Sequence, residues 1–160
     1  MITAYVGIGS NIDKRRHVEL AVKALQKLDS TLRFSTIYES PALGFSGDSF
    51  FNLIVEMKTS LTLKAFFQQL REIENQLGRS ENAQKLQDRT IDLDIILFGE
   101  LVNDSAPKVP REDIYKYPFV IQPLYELCPE LVIPDDGRTV SQIWQQAESL
   151  PLLSQVDLWF

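Results

Sequence analysis

At 160 residues, 44% hydrophobic and 24% charged, the chain has the composition of one folded domain of ordinary core size and not of a disordered segment. A net charge of −6 lacks the basic footprint of a nucleic-acid binder. No apolar run approaches the roughly 20 residues of a membrane span. A start without a basic, apolar leader and a lone cysteine, Cys128, predict a cytoplasmic protein with no internal disulfide. His17 is the only histidine, which excludes a multi-histidine zinc site.

In chain order, residues 2–8 predict a buried strand that ends at a Gly9-Ser10-Asn11 turn. Asp13 is positioned to cap a helix near 14–28, whose apolar residues Val18, Ala21, Val22, Leu25 and Leu28 follow helical spacing. His17, on the edge of that helix, reads as structural or solvated. Leu32, Phe34, Thr36 and Tyr38 alternate, predicting a second strand over 31–39 that Ser40-Pro41-Ala42-Leu43-Gly44 breaks. A polar loop leads to a third strand at about 50–58. Leu63, Phe66, Phe67, Leu70, Ile73 and Leu77 form one helical stripe over 62–77, with Gly78 as its stop. A segment poor in large apolar residues, 79–88, precedes a strand over 91–98.

Strand, helix, strand, strand, helix, strand is the split βαβ, ferredoxin-like plan. It predicts an α+β fold with a mainly antiparallel sheet and both long helices on one face. Beyond it, Val109-Pro110 should be extended, 118–127 a short helix after Pro118, and 140–148 a terminal helix covering part of the other face. The chain has no internal repeat, low-complexity tract or linker, so residues 1–160 read as a single domain. Short edge strands and the lack of a large apolar patch favour a monomer.

The most informative stretch is Arg89-Thr90-Ile91-Asp92-Leu93-Asp94-Ile95-Ile96-Leu97-Phe98. Alternation puts Asp92 and Asp94 on one strand face and Ile91, Leu93 and Ile95 on the other. Two carboxylates so close suit a hard cation that also carries substrate phosphates, and Mg²⁺ is the usual one. Arg89 adds a forked donor matched to phosphate oxygens. The alternative is a solvated strand face. No G-x-x-x-x-G-K-[ST] loop or kinase-type glycine loop is present, and Gly7-x-Gly9 lacks a third glycine.

Taken together, these features resemble one family, the hydroxymethyl-dihydropterin pyrophosphokinases of folate biosynthesis. The resemblance is carried by Gly9-Ser10-Asn11, Tyr38-Glu39-Ser40-Pro41-Ala42-Leu43-Gly44, Phe50-Phe51-Asn52, Glu74, Gly78-Arg79, Arg89 to Gly99, Val109-Pro110 and Pro123 to Leu131. It implies transfer of diphosphate from ATP to the pterin hydroxymethyl group, with AMP released and no nucleic-acid or membrane partner. By this resemblance Asp92 and Asp94 hold two Mg²⁺ ions and, with Arg79 and Arg89, form the catalytic set. Glu74, Arg79, Arg89, Ile95 and Arg111 fall on the ATP side. Asn52 reads the pterin edge, Phe50 and Phe119 sandwich its ring, and the backbone at Ser40, Ala42 and Leu43 completes the contacts.

Departures from the family pattern cluster on the ATP side. Leu86-Gln87-Asp88-Arg89 stands where many members have Trp-Gly-Pro-Arg. Arg111-Glu112 replaces His-Tyr, Tyr117 replaces a basic residue, and Phe50 replaces a frequent tyrosine. Arg111 can serve as a phosphate donor that stays charged at any relevant pH, whereas Glu112 and Asp88 add negative charge. Two expectations follow: a working enzyme with a remodelled ATP side, or a pterin-binding paralogue with weak or no transfer. A third is a metal-dependent hydrolase of a phosphorylated pterin.

Overall fold

In the computed structural model, residues 1–42, 47–78, 90–147 and 153–160 are described. A six-stranded sheet forms the middle layer. Its strands are β1 (Ile2–Ser10), β2 (Arg33–Phe34), β3 (Ile37–Ser40), β4 (Phe50–Thr59), β5 (Asp92–Phe98) and β6 (Ser154–Val156). The helices are α1 (Lys14–Leu28), α2 (Leu63–Gln76), α3 (Asp113–Lys116), α4 (Pro118–Leu127) and α5 (Val140–Gln146). The strand order is β5-β1-β4-β3-β6, with β2 also on β4, and every pairing is antiparallel. This is the expected α+β arrangement, extended by β6 outside β3.

The alternation of each strand divides the core in two. Ala4, Val6 and Ile8 of β1, Leu53, Val55 and Met57 of β4, and Leu93 and Ile95 of β5 face α1 and α2. They meet the helical stripes Val18, Ala21, Val22, Leu25 and Phe66, Leu70, Ile73. On the opposite face Tyr5, Ile54, Ile96 and Leu97 pack under Val120, Ile121 and Leu124 of α4 and Val140 and Ile143 of α5. A register shift between Tyr5 and Val6 lets consecutive Ile96 and Leu97 join this second face, while Phe98 returns to the first. Among the described residues no helix is long and apolar enough to cross a membrane.

Three local expectations change. The strand over 31–39 is interrupted, because Ser35 satisfies the ladder of β4 with its side chain: Ile54 N–H donates to Ser35 Oγ at 3.0 Å. The next amide, Thr36 N–H, leaves the sheet to donate to the Glu126 carboxylate at 2.8 Å. The first strand does not turn at Gly9 but stays paired through Ser10. Asp13 occupies the N-cap position of α1 yet makes no side-chain cap, since its own backbone is left-handed at φ 44°. Thr62 and Thr139, by contrast, cap α2 and α5 with their hydroxyls. Gly78 ends α2 as expected, at φ +99°. The last helix stops at Gln146, and α3 and β6, both very short, were not foreseen.

Candidate active site

α4 and α5 cover only one end of the second sheet face, and the residues of interest line the other end. Asp92 and Asp94 are half-buried on this face, while Leu93 and Ile95 between and beyond them are 3% exposed in the helix-side core. The register sets out a row across four strands: Tyr38 opposite Asn52, Asn52 opposite Gly9, and Gly9 opposite Asp92. Two strand spacings separate Asn52 from Asp92, roughly 10 Å between backbones. Between them β1 contributes no side chain, because Gly9 and, one step along, Gly7 opposite Asp94 supply only backbone. At Gly9 an added Cβ would come within 3.1 Å of Asn52 Oδ1. Gly9 therefore leaves backbone alone between the amide on one wall and Asp92 on the other, whereas the space over Gly7 is filled by the Ile96 and Ile54 side chains.

On the amide wall, Asn52 Nδ2 donates to Ser40 Oγ at 2.7 Å, and both residues are buried. Phe50 lies two residues earlier on the same face, opposite Ser40. Tyr38 donates to Glu126 of α4 at 2.8 Å. Burial, followed by that carboxylate, pushes its phenol up to about 12, so it is a neutral donor at working pH. Phe119, at the start of α4, stacks on Tyr117 with centroids 4.9 Å apart and planes at 14°. Tyr117 thus covers one face of the Phe119 ring. Ala42 is half-buried just beyond β3.

On the carboxylate wall, β5 is an edge strand, and its outer amide between the two aspartates is taken by α2: Leu93 N–H donates to Glu74 Oε2 at 2.8 Å. Glu74 is 2% exposed, with Arg71 Nε 3.6 Å from its other oxygen. Ile95, assigned by resemblance to the ATP side, has its side chain in the helix-side core, leaving only its backbone to reach a nucleotide. Arg111 runs beside the strand, its N–H donating to Ile96 O at 2.9 Å. Its guanidinium lies 3.8 Å from Asp94 Oδ2 and 3.1 Å from Asp113 Oδ2. Burial alone would lower the Arg111 pKa, but the carboxylates of Asp94, Asp113 and Asp92 outweigh it and hold it above its ordinary value.

Two parts of the Gly9-Ser10-Asn11 motif tie the walls together. Ser10 Oγ donates to Thr90 O at 2.5 Å, fixing the entry to β5. Asn11 Nδ2 donates to Asp48 O at 3.1 Å, fixing the segment that leads into β4. From the helix side, Lys14 Nζ donates to Ser49 Oγ (2.7 Å), Ser49 O (3.1 Å) and Glu39 (3.2 Å), and sits 4.5 Å from the Phe51 ring centroid. These supports, with Gly9 and Asp113, were given no role from sequence, and Tyr117, expected on the ATP side, instead stacks on Phe119. Their signal lies in cross-strand register, which a linear pattern does not carry. Leu43, Arg79 and Arg89, and the departures Leu86 and Asp88, lie outside the described residues.

Among the described residues no group of three or more His, Cys, Asp or Glu is gathered to hold a metal. A pair of half-buried carboxylates on one strand face suits a cation that brings most of its ligands with a substrate, which is how Mg²⁺ is usually held at phosphates.

Known proteins resemble this chain over most of its length. The sequence model of the 7,8-dihydro-6-hydroxymethylpterin-pyrophosphokinase (HPPK) family matches residues 5–129. The 2-amino-4-hydroxy-6-hydroxymethyldihydropteridine pyrophosphokinase of Aquifex aeolicus is 35% identical over 139 residues, 84% of this chain and 85% of its own. The enzyme of the same name from Haemophilus influenzae is 34% identical over 153 residues, covering 92% and 95% of the two chains. That of Bacillus subtilis is 35% identical over 152 residues, covering 89% and 90%.

Proposed function

The chain belongs to the 7,8-dihydro-6-hydroxymethylpterin-pyrophosphokinase family, and on that premise we propose that it transfers diphosphate from ATP to the hydroxymethyl group of 6-hydroxymethyl-7,8-dihydropterin, releasing AMP. The observation that carries this reading is the cross-sheet row in which Gly9 separates Asn52 from Asp92. A flat heterocycle read by an amide and a polyphosphate read by carboxylates and cations need such opposed walls, with the reacting groups meeting over Gly9, which has no side chain.

Each wall then has a task. Asn52 offers an amide edge to the pterin, held in place through Ser40. The backbone around Ser40, Ala42 and Leu43 adds further hydrogen bonds, and the rings of Phe50 and Phe119 stack on the pterin faces. Tyr117, stacked behind Phe119, limits how far that ring can turn. Arg79, Arg89 and Arg111 clamp phosphate oxygens, a role the planar guanidinium fits better than an ammonium. Asp92 and Asp94 would hold the two Mg²⁺ ions the family implies, which when bound neutralise phosphate charge and favour in-line displacement. Glu74 serves this wall through Leu93, keeping the strand that presents both aspartates straight. The pterin hydroxyl gives its proton to solvent as its oxygen bonds to the β-phosphorus, and the bond from that phosphorus to the α–β bridging oxygen breaks, leaving AMP. Most of the rate enhancement comes from positioning and charge, which suits a chain whose one histidine is occupied elsewhere, with Nδ1 2.6 Å from Ile12 O.

Separate titrations of the two walls test the assignment. By calorimetry, Asn52→Ala should weaken binding of the dihydropterin at least tenfold, roughly the worth of one to two hydrogen bonds, and leave a non-hydrolysable ATP analogue unaffected. Asp94→Asn should do the reverse in the presence of Mg²⁺. If Asn52→Ala leaves pterin affinity unchanged, the pterin wall is misassigned.

A further inference from the structure

Arg111 stands between two carboxylates, Asp94 and Asp113. Its Nε is 3.1 Å from Asp113 Oδ2 yet makes no hydrogen bond among the described residues, and its Nη2 is 3.8 Å from Asp94 Oδ2. The backbone, in contrast, is fastened: its N–H donates to Ile96 O and its carbonyl accepts from Ile114 N–H. A guanidinium set between two carboxylates on a fixed backbone can shift from one to the other by side-chain rotation, and its forked geometry also suits phosphate oxygens. Its position is also shared, since the same cation faces Asp94 in the cleft and Asp113 at the start of α3.

We propose that Arg111 is a resident counter-cation of the aspartate pair, one that opposes free divalent ions at Asp94 and shifts onto Asp113 when metal arrives with a nucleotide. This rests on the assignment of Asp92 and Asp94 as metal ligands. Without nucleotide, the +1 charge beside Asp94 repels an incoming divalent ion. With nucleotide, the phosphates supply oxygens for both the metal and the guanidinium, so the repulsion is offset. Asp113 gives the side chain a second station, and Arg111 thereby couples metal entry to the presence of the phosphate chain.

The test is Mn²⁺ titration of the nucleotide-free protein, followed by the electron paramagnetic resonance signal of the free ion. A charge about 5 Å from a divalent ion in a solvent-screened cleft is worth about tenfold in affinity. Arg111→Gln should therefore tighten Mn²⁺ by about three- to tenfold, and Arg111→Lys, which keeps the charge, should behave as the parent. Asp113→Asn should weaken Mn²⁺ by about threefold or more, because the guanidinium then settles on Asp94. In the Arg111→Gln background the same Asp113→Asn change should lose most of its effect, which distinguishes action through Arg111 from simple loss of a nearby negative charge. If Arg111→Gln leaves Mn²⁺ affinity unchanged or lowers it, or if the Asp113 effect persists without Arg111, the proposal is overturned. Asp94→Asn separates the two levels: if it does not weaken Mn²⁺ binding, the metal assignment itself fails, whatever the Arg111 variants do.

Discussion

Glu74 offers the sharpest perturbation of the carboxylate wall, because it holds the backbone between the two aspartates. Its carboxylate is 2% exposed and accepts the Leu93 amide at 2.8 Å, between Asp92 and Asp94 on an edge strand. Glu74→Gln keeps the shape and an acceptor oxygen, so the Leu93 bond survives without its charge. The loss of roughly 1 kcal/mol of charge assistance is largely offset by relief of a buried charge. Glu74→Ala removes the acceptor and orphans a buried amide, at a cost of about 1–3 kcal/mol. In a chain of this size that is roughly 2–10 °C in Tm. Amide exchange at Leu93 should accelerate by about 5- to 150-fold in Glu74→Ala and change little in Glu74→Gln. A misplacement near 1 Å of Asp92 or Asp94 then lowers turnover by about a hundredfold. Hydrogen exchange by NMR beside steady-state kinetics reads both effects. Unchanged Leu93 exchange in Glu74→Ala, or a turnover loss equal in the two variants, would refute the positioning role and point to direct contact with the nucleotide.

Other consequences follow from single contacts. Gly9→Ala places a Cβ within 3.1 Å of Asn52 Oδ1, which should displace an amide already committed to Ser40. The expected loss in pterin affinity, by fluorescence titration, is about three- to tenfold, the worth of one hydrogen bond. Glu39 is held below the ordinary carboxylate range, first by the Ser49 hydroxyl and then by Lys14. A depressed folded-state pKa contributes stability that is present above the unfolded value, about 4.3, and disappears as pH falls through the folded one. In urea titrations, the stability gap between parent and Glu39→Gln should therefore be open at pH 7 and close progressively below about pH 4.3. A gap independent of pH would remove Glu39 from the Lys14 clasp. The Cys128 thiol is pushed up to about 12, chiefly by burial. Disulfide reagents at pH 8 should label it slowly, because very little thiolate forms there, and prompt labelling of the folded protein would contradict that environment.

The elements that sequence made legible are those whose signal is periodic and local. The stripes of α1 (apart from Leu28, which is exposed) and α2, the stop at Gly78 and the alternating Asp92 and Asp94 stand where spacing put them. The interruption of the second strand was not legible, because Ser35 completes the β4 ladder with its side chain while Thr36 turns to Glu126, 90 residues away. The same reason hides the site's supports. Nothing in the linear string relates Gly9 to both Asn52 and Asp92, or Lys14 to Ser49, until the register brings them together. Asp13 failed as a cap for a backbone reason, a left-handed φ, and its carboxylate lies 3.9 Å from Arg16 Nη1 instead of on a backbone amide.

The most direct measurement is ³¹P NMR of the protein with Mg²⁺, ATP and 6-hydroxymethyl-7,8-dihydropterin, run beside Asp92→Ala and Asp94→Ala. The expected spectrum shows AMP and a pterin diphosphate growing in equal amounts, with neither formed by the two variants despite melting temperatures close to the parent's. ADP in place of AMP, no transfer at saturating ATP, or full turnover after loss of either carboxylate would contradict the assignment of this cleft.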